Sequence, residues 1–273
     1  MAISSEVAAA VSSPSELVPV PAGALEVPIT AAANTSERRI RLSLVVPTYN
    51  ESKNIRELVQ RLTELLEPLL DGEYELVVVD DDSPDRTWEI AHSLTVEYPR
   101  VRVMRRVGER GLSSAVIRGW QVARGDVLAV IDSDLQHPPE VTVQLWSEID
   151  RGADLAVASR HTDGGGVSSW SISRRVLSRG AQLLGLMLLP GVLGRVSDPM
   201  SGYFMVRREA IGGRRMSPLG YKILIEVLGR GKIRRIGEVG YVFRERAGGE
   251  SKVTSRLYVD YLRHLVRLRL DRL

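Results

Sequence analysis

Short apolar segments alternate with helical segments along most of this chain, from residue 41 onward. The apolar segments, which we predict to be buried strands, lie at 42–46, 76–79, 101–104, 127–131 and 154–158. The segment after the first strand repeats apolar residues at the spacing of a helix with one buried face: Ile55, Leu58, Val59, Leu62, Leu65 and Leu66. Strands that alternate with helices are joined by right-handed crossovers. The sequence therefore predicts an α/β fold, with a mainly parallel sheet and helices on both of its faces.

The length and composition fit one large folded domain that is preceded by an extension. With 273 residues, of which 44% are hydrophobic, the chain can bury a substantial core. Residues 1–38 are rich in Ala, Ser, Pro and Val without a helical or strand period, so we predict a disordered extension there. We assign 39–250 to the folded domain and 251–273 to a basic amphipathic helix. The chain has no cysteine, which excludes disulfides and is compatible with a reducing cytoplasm.

The charge is distributed unevenly along the chain. The formal net charge is +3, yet residues 1–36 contain three glutamates and no basic residue, so the remainder carries +6. Residues 251–273 contain six Lys and Arg against two Asp. A basic end of this kind indicates an anionic partner, either a membrane surface or a nucleic acid. No segment reaches the ~18 consecutive apolar residues that a transmembrane helix requires.

Two carboxylates follow the predicted strand at 127–131. They are Asp132 and Asp134, with Ser133 between them and Gln136 two residues further on. A strand that ends this way aims both acids at the carboxyl edge of the sheet, where open α/β folds bind ligands. Two carboxylates and a side-chain amide suit Mg²⁺ or Mn²⁺. The alternative is an N-cap for the helix that follows, but a cap explains one acid and not the pair with the amide.

Acidic residues also follow the first two strands: Glu51 after the first, and Asp80 to Asp82 after the second. Parallel strands share one edge, so these acids are predicted to converge with the pair after the fourth strand. Crowded carboxylates repel, which implies a cation or donors such as ribose hydroxyls and base N–H groups nearby. For the second cluster, a turn with a helix cap is the alternative to a ligand role. We assign the cap to Asp85 and a ligand role to Asp81 or Asp82.

The first turn, residues 47–51, contains no glycine. A dinucleotide-binding fold needs G-x-G-x-x-G there so that the pyrophosphate can approach the backbone, and a P-loop is absent as well. If the protein binds phosphate, a metal and arginines must hold it.

Taken together, these residues resemble the glycosyltransferase family 2 enzymes of GT-A fold, and within that family the dolichol-phosphate mannose synthases. The resemblance covers roughly 42–269. Segments 45–51 and 78–85 are shared across family 2. Segments more specific to polyprenyl-phosphate transferases are 111–115, 132–139, 158–160, 198–202, 220–222 and 249–252, together with Trp170, Arg174 and Ser178.

The resemblance implies a role for each of four groups of residues. It places the nucleotide pocket at Pro47, Tyr49, Glu51, Val79 and Asp81. It implies that Ser133 lies near the sugar nucleotide and that Mg²⁺ or Mn²⁺ is held by Asp132, Asp134 and Gln136. It assigns the acceptor phosphate to Arg160, Arg174 and Ser178. Closure over the donor diphosphate is assigned to Lys222, Arg246 and Lys252.

The reaction that the resemblance implies is inverting transfer of mannose from GDP-mannose to a polyprenyl (dolichyl) phosphate, at the cytoplasmic face of a membrane. UDP-glucose or another nucleotide sugar is the alternative donor, because the sugar pocket is not legible in the sequence. A processive polysaccharide synthase is disfavoured, since both membrane spans and a Gln-x-x-Arg-Trp motif are missing. A nucleic-acid-binding protein would explain the basic end but not the acidic strand ends.

Peripheral membrane binding is expected from two segments. Residues 174–189 are basic at their start and apolar afterwards, and residues 256–270 combine leucines with arginines at helical spacing. Ordinary packing onto the core is the alternative for both segments. Many relatives continue into transmembrane helices, so a membrane-anchoring partner subunit is a further expectation. We predict that His137, beside the proposed metal ligands, is structural, because the two prolines after it fix the turn.

Overall fold

The computed structural model of the chain describes residues 14–32, 39–167, 180, 183–244 and 255–271. Its strands are β1 (Leu42–Thr48), β2 (Tyr74–Asp80), β3 (Val101–Arg105), β4 (Val127–Val130), β5 (Leu155–Ser159), β6 (Gly166–Val167), β7 (Phe204–Arg207), β8 (Ile236–Gly240) and β9 (Val242–Phe243). Its helices are α1 (Ile55–Leu70), α2 (Thr87–Glu97), α3 (Leu112–Val122), α4 (Val141–Asp150), α5 (Pro190–Leu193), α6 (Arg208–Ile211), α7 (Ile223–Arg230) and α8 (Ser255–Leu270).

Seven strands form one sheet in the order β3-β2-β1-β4-β7-β5-β8. Strand β7 runs antiparallel to both of its neighbours, β4 and β5, while the other neighbours pair in parallel. The predicted α/β fold with a mainly parallel sheet is therefore confirmed. The carboxyl ends of β1, β2 and β4 lie at one edge, and the start of antiparallel β7 reaches the same edge, since Val130 pairs with Phe204.

The sheet is covered on both faces, which explains why the strands are apolar throughout. All seven residues of β1 are buried. Val45 belongs to a core with Trp120 of α3, and Leu44 belongs to a second core with α1 and α4. The predicted helical face is confirmed except at Leu65, which is half-buried, because α1 buries Ile55, Leu58, Val59, Leu62, Leu66 and also Leu70. A strand that is buried on both faces requires helices on both sides of its sheet.

The segment 14–32, which we call the N-terminal strap, lies against the domain. The Val18 amide donates to the Val103 carbonyl at 2.7 Å, which pairs the strap with the edge strand β3. The Gly213 amide donates to the Val27 carbonyl at 2.8 Å, and Val27 is fully buried. The prediction of a disordered extension over 1–38 is therefore wrong for 14–32. The strap is held by backbone hydrogen bonds and a few apolar contacts. Such contacts do not require apolar residues at helical or strand spacing, so the sequence shows no periodic pattern there.

Helix α8 packs one face onto the domain. The side chains of Tyr261, Leu265 and Leu268 are buried. A hydrogen bond of 2.7 Å joins Nε2 of His264 to the Glu226 carboxylate of α7. Both members of that pair are fully buried. The buried face of α8 therefore packs onto the core, which was the alternative to membrane binding for this segment.

The strap yields a prediction about stability. Val27→Ala should lower the free energy of unfolding by about 1–3 kcal/mol, because it removes a fully buried side chain. Ile29→Ala is the matched control, since Ile29 is 72% exposed on the same strap. Urea denaturation of both variants measures the difference. Equal midpoints for Val27→Ala and the parent protein would contradict docking of the strap.

Candidate functional site

The turn after β2 is built around Asp80. Its fully buried carboxylate accepts hydrogen bonds from the Thr48 hydroxyl at 2.8 Å and from the Ser83 hydroxyl at 2.6 Å. The Asp81 amide donates to the Thr48 carbonyl at 3.1 Å, which ties the end of β2 to the end of β1. Asp80 therefore has a turn role. Asp85 accepts the Thr87 amide at 3.1 Å, so its carboxylate satisfies the first amide of α2, although Arg86 and not Asp85 occupies the N-cap position.

Asp81 is held by Arg106, a residue that the sequence reasoning missed. The Arg106 side chain is fully buried and donates to Asp81 Oδ1 through Nε at 2.8 Å and through Nη2. The Gly111 amide donates to Asp81 Oδ2 at 2.7 Å, and Gly111 has a φ of 121°, which favours glycine. Burial raises the pKa of the Asp81 carboxyl, and Arg106 opposes that shift. The only signal in the sequence was a basic residue just after the third strand, facing an acidic cluster.

The other residues of the predicted nucleotide pocket lie at the same edge. The Arg110 guanidinium stacks on the Tyr49 ring at 4.8 Å from its centroid and donates to the Tyr49 hydroxyl at 3.0 Å. Glu51 is buried, and its carboxylate accepts a hydrogen bond from the side-chain amide of Asn54 at 2.7 Å. Pro47 and Val79 are buried within their strands, so they support this surface from below.

The turn after β4 has a strained backbone. Leu135 has a φ of 60°, in the left-handed region that non-glycine residues rarely adopt. In this conformation the backbone N–H of Gln136 donates to Asp134 Oδ1 at 3.1 Å. The Ser133 hydroxyl donates to the Pro47 carbonyl at 3.0 Å, which joins this turn to the end of β1. Strain at the carboxyl edge of a sheet is typical of a functional site.

The donor set after β4 fits a divalent cation. Asp132 Oδ1 is buried and has no hydrogen-bond partner among the residues that the structure describes. A buried carboxylate oxygen normally has a partner, so this atom has the character of a ligand to a cation. The side-chain nitrogen Nε2 of Gln136 donates to the Arg244 carbonyl at 3.0 Å, so its side-chain oxygen can serve as a ligand to a cation. Within the described ranges, no three His, Asp or Glu side chains are grouped to hold a metal by themselves.

The loop before β7 lies against Asp132. A Cβ on Gly202 would stand 3.1 Å from Asp132 Oδ2, so a larger residue there would require the carboxylate to shift by a few tenths of an ångström. Lys222 donates from Nζ to the Met200 carbonyl in this loop at 2.7 Å. Because β7 is antiparallel, the loop before it lies at the same edge as Asp132 and Asp134. Lys222, which was predicted to contact the donor diphosphate, reaches this edge through its bond to the loop.

Arg160 forms a buried ion pair with Asp198. Nε donates to Oδ2 at 2.7 Å and Nη2 donates to Oδ1 at 2.8 Å. Burial alone would raise the pKa of Asp198, but the paired guanidinium holds that pKa below its ordinary value. Two donors of Arg160 are therefore committed to the protein, and its acceptor-phosphate role remains a prediction. The other predicted contacts, Arg174, Ser178, Arg246 and Lys252, lie outside the described residues.

Gly240 is the last residue of β8 and lies against the backbone of the segment before β6. The position where its Cβ would stand is occupied by the Asp163 carbonyl oxygen. The glycine thus permits a close backbone approach at the end of β8.

Comparisons with known proteins identify the family of this chain. The family model described as Glycosyl transferase family 2 matches residues 43–213. The dolichol-phosphate mannosyltransferase of Pyrococcus furiosus is 48% identical over 229 residues, which cover 84% of this chain and 64% of that protein. The chain therefore spans less than two thirds of the length of this archaeal relative. The dolichol-phosphate mannosyltransferase of Saccharomyces cerevisiae is 36% identical, with 84% of this chain and 87% of that protein covered.

A solved structure shares the fold. Glucosyl-3-phosphoglycerate synthase from Mycobacterium tuberculosis, in complex with Mn²⁺ and UDP-glucose, matches with a TM-score of 0.59 at 25% identity. The match covers 85% of this chain and 79% of that one. The mostly parallel seven-stranded sheet with its helices is that of a GT-A glycosyltransferase. The chain belongs to glycosyltransferase family 2, as its sequence motifs predicted.

The Asp81–Arg106 pair yields a prediction. Arg106→Met should lower the free energy of unfolding by about 3–5 kcal/mol, because it leaves a buried carboxylate without its counter-charge. Adding Asp81→Asn should recover part of that loss. Arg39→Met is the control and should leave the urea midpoint unchanged, since the Arg39–Asp126 pair is exposed. Strictly additive losses in the double variant would show that the two side chains do not interact.

Proposed function

We propose that this chain transfers mannose from GDP-mannose to a polyprenyl (dolichyl) phosphate. The observation that carries the proposal is the identity of 48% and 36%, over 84% of the chain, to two enzymes named dolichol-phosphate mannosyltransferase. The acidic edge of the sheet supports it, since Asp132 Oδ1 at this edge is buried without a hydrogen-bond partner among the described residues. The donor pocket would then comprise Pro47, Tyr49, Glu51, Val79, Asp81 and Ser133, and Lys222, Arg246 and Lys252 would contact the diphosphate.

Asp132, Asp134 and Gln136 would hold Mg²⁺ or Mn²⁺. Two atoms fit this group: Asp132 Oδ1, which has no hydrogen-bond partner in the described part of the chain, and the amide oxygen of Gln136. A divalent ion there supplies Lewis-acid stabilisation of the charge on the leaving diphosphate. A set of two carboxylates and one amide would leave ligand positions for phosphate oxygens, as Mg²⁺ sites in nucleotide enzymes commonly do.

The transfer requires positioning more than proton removal. An oxygen of the acceptor phosphate attacks the sugar C1, and the bond from C1 to the donor β-phosphate oxygen breaks, so that GDP leaves with the electron pair. The acceptor phosphate is already anionic at neutral pH and needs no strong base. Attack from the face opposite the leaving group inverts C1, which converts an α-linked donor into a β-linked product. Arg160, Arg174 and Ser178 would orient the acceptor phosphate.

The lipid acceptor implies binding at the cytoplasmic face of a membrane. Helix α8 exposes four apolar side chains beside arginines: Val259, Leu262, Val266 and Leu270. The helical residues 183–188 expose Leu183 and Met187, and Gly185 of this segment adjoins Tyr261 of α8. We call these exposed side chains the apolar patch. In the parts of the chain that the structure describes, no helix is long and apolar enough to cross a bilayer.

The experiment that tests the proposal offers a panel of nucleotide sugars together with a short polyprenyl phosphate. GDP-mannose should give a polyprenyl-phosphate mannose that mass spectrometry detects, and the C1 configuration should be β by NMR. Transfer from UDP-glucose alone would support the alternative donor. Absence of product from every donor would contradict a glycosyl transfer to this lipid.

Metal dependence is a further prediction. Chelation should abolish transfer, and added Mg²⁺ or Mn²⁺ should restore it. Asp134→Ala should lower kcat by about 10²-fold or more, because Lewis-acid stabilisation contributes several kcal/mol. Glu140→Gln is a control in the same segment, since Glu140 pairs with Arg61 at the surface. Undiminished turnover in excess chelator would remove the metal assignment.

Membrane binding is the last prediction for this function. The double change Leu262→Ser and Val266→Ser should weaken flotation with anionic vesicles about tenfold or more, because both side chains lie in the apolar patch. High salt should weaken it as well, since each Lys or Arg near an anionic surface contributes about 1 kcal/mol. Val96→Ser, an exposed change on α2, is the matched control. Equal flotation of all three proteins would show that the apolar patch does not face the membrane.

A further inference from the structure

His137 lies in a cage of aromatic rings beside the acidic pair. Its side chain is 3% exposed. The ring centroids of Tyr203, Tyr241 and Phe243 stand 5.3, 5.3 and 5.2 Å from its own. Such a cage fixes the plane and the position of the imidazole, because a ring packed on several sides has one rotamer available to it.

One nitrogen of this fixed ring points at Asp132. His137 Nε2 stands 3.3 Å from Asp132 Oδ2. The other nitrogen, Nδ1, is buried without a hydrogen-bond partner among the described residues. A phenylalanine would fill the same cage without burying an unpartnered nitrogen, which is unfavourable. The contact with Asp132 is therefore the feature of this position that requires a histidine.

The contact bears on how Asp132 is oriented. His137 meets Oδ2 from one side, and Gly202 leaves room for the same oxygen where a Cβ would stand 3.1 Å away. The second oxygen, Oδ1, is then the buried atom for which the described ranges contain no hydrogen-bond partner. The two oxygens of one carboxylate thus differ, with Oδ2 engaged by the protein and Oδ1 left for another ligand.

We propose that His137 is a positioning residue that fixes the Asp132 carboxylate so that Oδ1 is presented to the divalent cation. The proposal rests on the metal-dependent function proposed above and gives His137 a role beyond the structural one that its sequence context predicted. Hydrogen bonds from the protein to metal-ligating side chains orient those ligands, and losing one typically weakens metal binding about 10–100-fold.

The test is the affinity for Mn²⁺ in the presence of GDP, measured from the EPR signal of free Mn²⁺. His137→Phe keeps a ring in the cage and removes Nε2, so the Kd for Mn²⁺ should rise about 10–100-fold. His137→Gln places an amide N–H near the position of Nε2 and should recover part of the loss. Tyr203→Phe is the matched control, because its ring packs on His137 while its hydroxyl bonds Thr142 at 2.6 Å. It should bind Mn²⁺ as tightly as the parent protein.

Each outcome supports or overturns the proposal. If the parent protein binds Mn²⁺ and His137→Phe binds it equally well, the positioning role is wrong and the proposed function stands. If Tyr203→Phe weakens binding as much as His137→Phe, the loss comes from the turn that the Tyr203 hydroxyl holds at Pro138 and Pro139 and not from Nε2, which also overturns the role. If the parent protein binds no Mn²⁺ with GDP, the metal assignment fails and the positioning role fails with it. Should His137→Phe not fold, a normal Mn²⁺ affinity in His137→Ala would contradict the role.

Discussion

The balance of charge at the carboxyl edge of the sheet is the constraint on which the rest of this structure depends. Parallel strands bring carboxylates from several turns to one edge, where they repel unless each is compensated. Asp80 is satisfied by two hydroxyls, Asp81 by Arg106, and Asp198 by Arg160. Asp132 differs, because one of its oxygens is buried without a partner among the described residues. The compensated acids shape the turns, and the uncompensated oxygen is where we propose that a cation binds.

This division explains why neighbouring acids in one cluster have different roles. Asp80 and Asp81 are adjacent in sequence, yet the strand alternation sends one carboxylate into the turn and the other toward Arg106. Arg106 also contacts Glu109 and Ser114, so the start of α3 is tied to the same carboxylate. Antiparallel β7 completes the edge by carrying Gly202 and the loop held by Lys222 to Asp132. The site is thus a product of strand direction as much as of residue type.

Much of the fold and part of the site could be predicted from the sequence, because they depend on local pattern. The apolar runs and the acids that end them gave β1, β2 and β4 and the turn with Asp132 and Asp134. What could not be predicted depends on contacts between residues far apart in the chain. Arg106 is 25 residues from Asp81, and Arg160 is 38 from Asp198. The strap was mistaken for a disordered segment because its pairing with β3 has no signature within the strap itself.

The central claim is that the acidic edge binds the diphosphate of a nucleotide sugar through a divalent cation, while the pocket at β1 and β2 binds the nucleoside. Calorimetric titration of GDP and of guanosine, each with Mn²⁺ and with chelator, separates the two contributions. The account predicts that Mn²⁺ raises the affinity for GDP at least about tenfold, in line with several kcal/mol from a metal–phosphate contact, and leaves the affinity for guanosine unchanged. An affinity for GDP that is the same in chelator as in Mn²⁺ would contradict it.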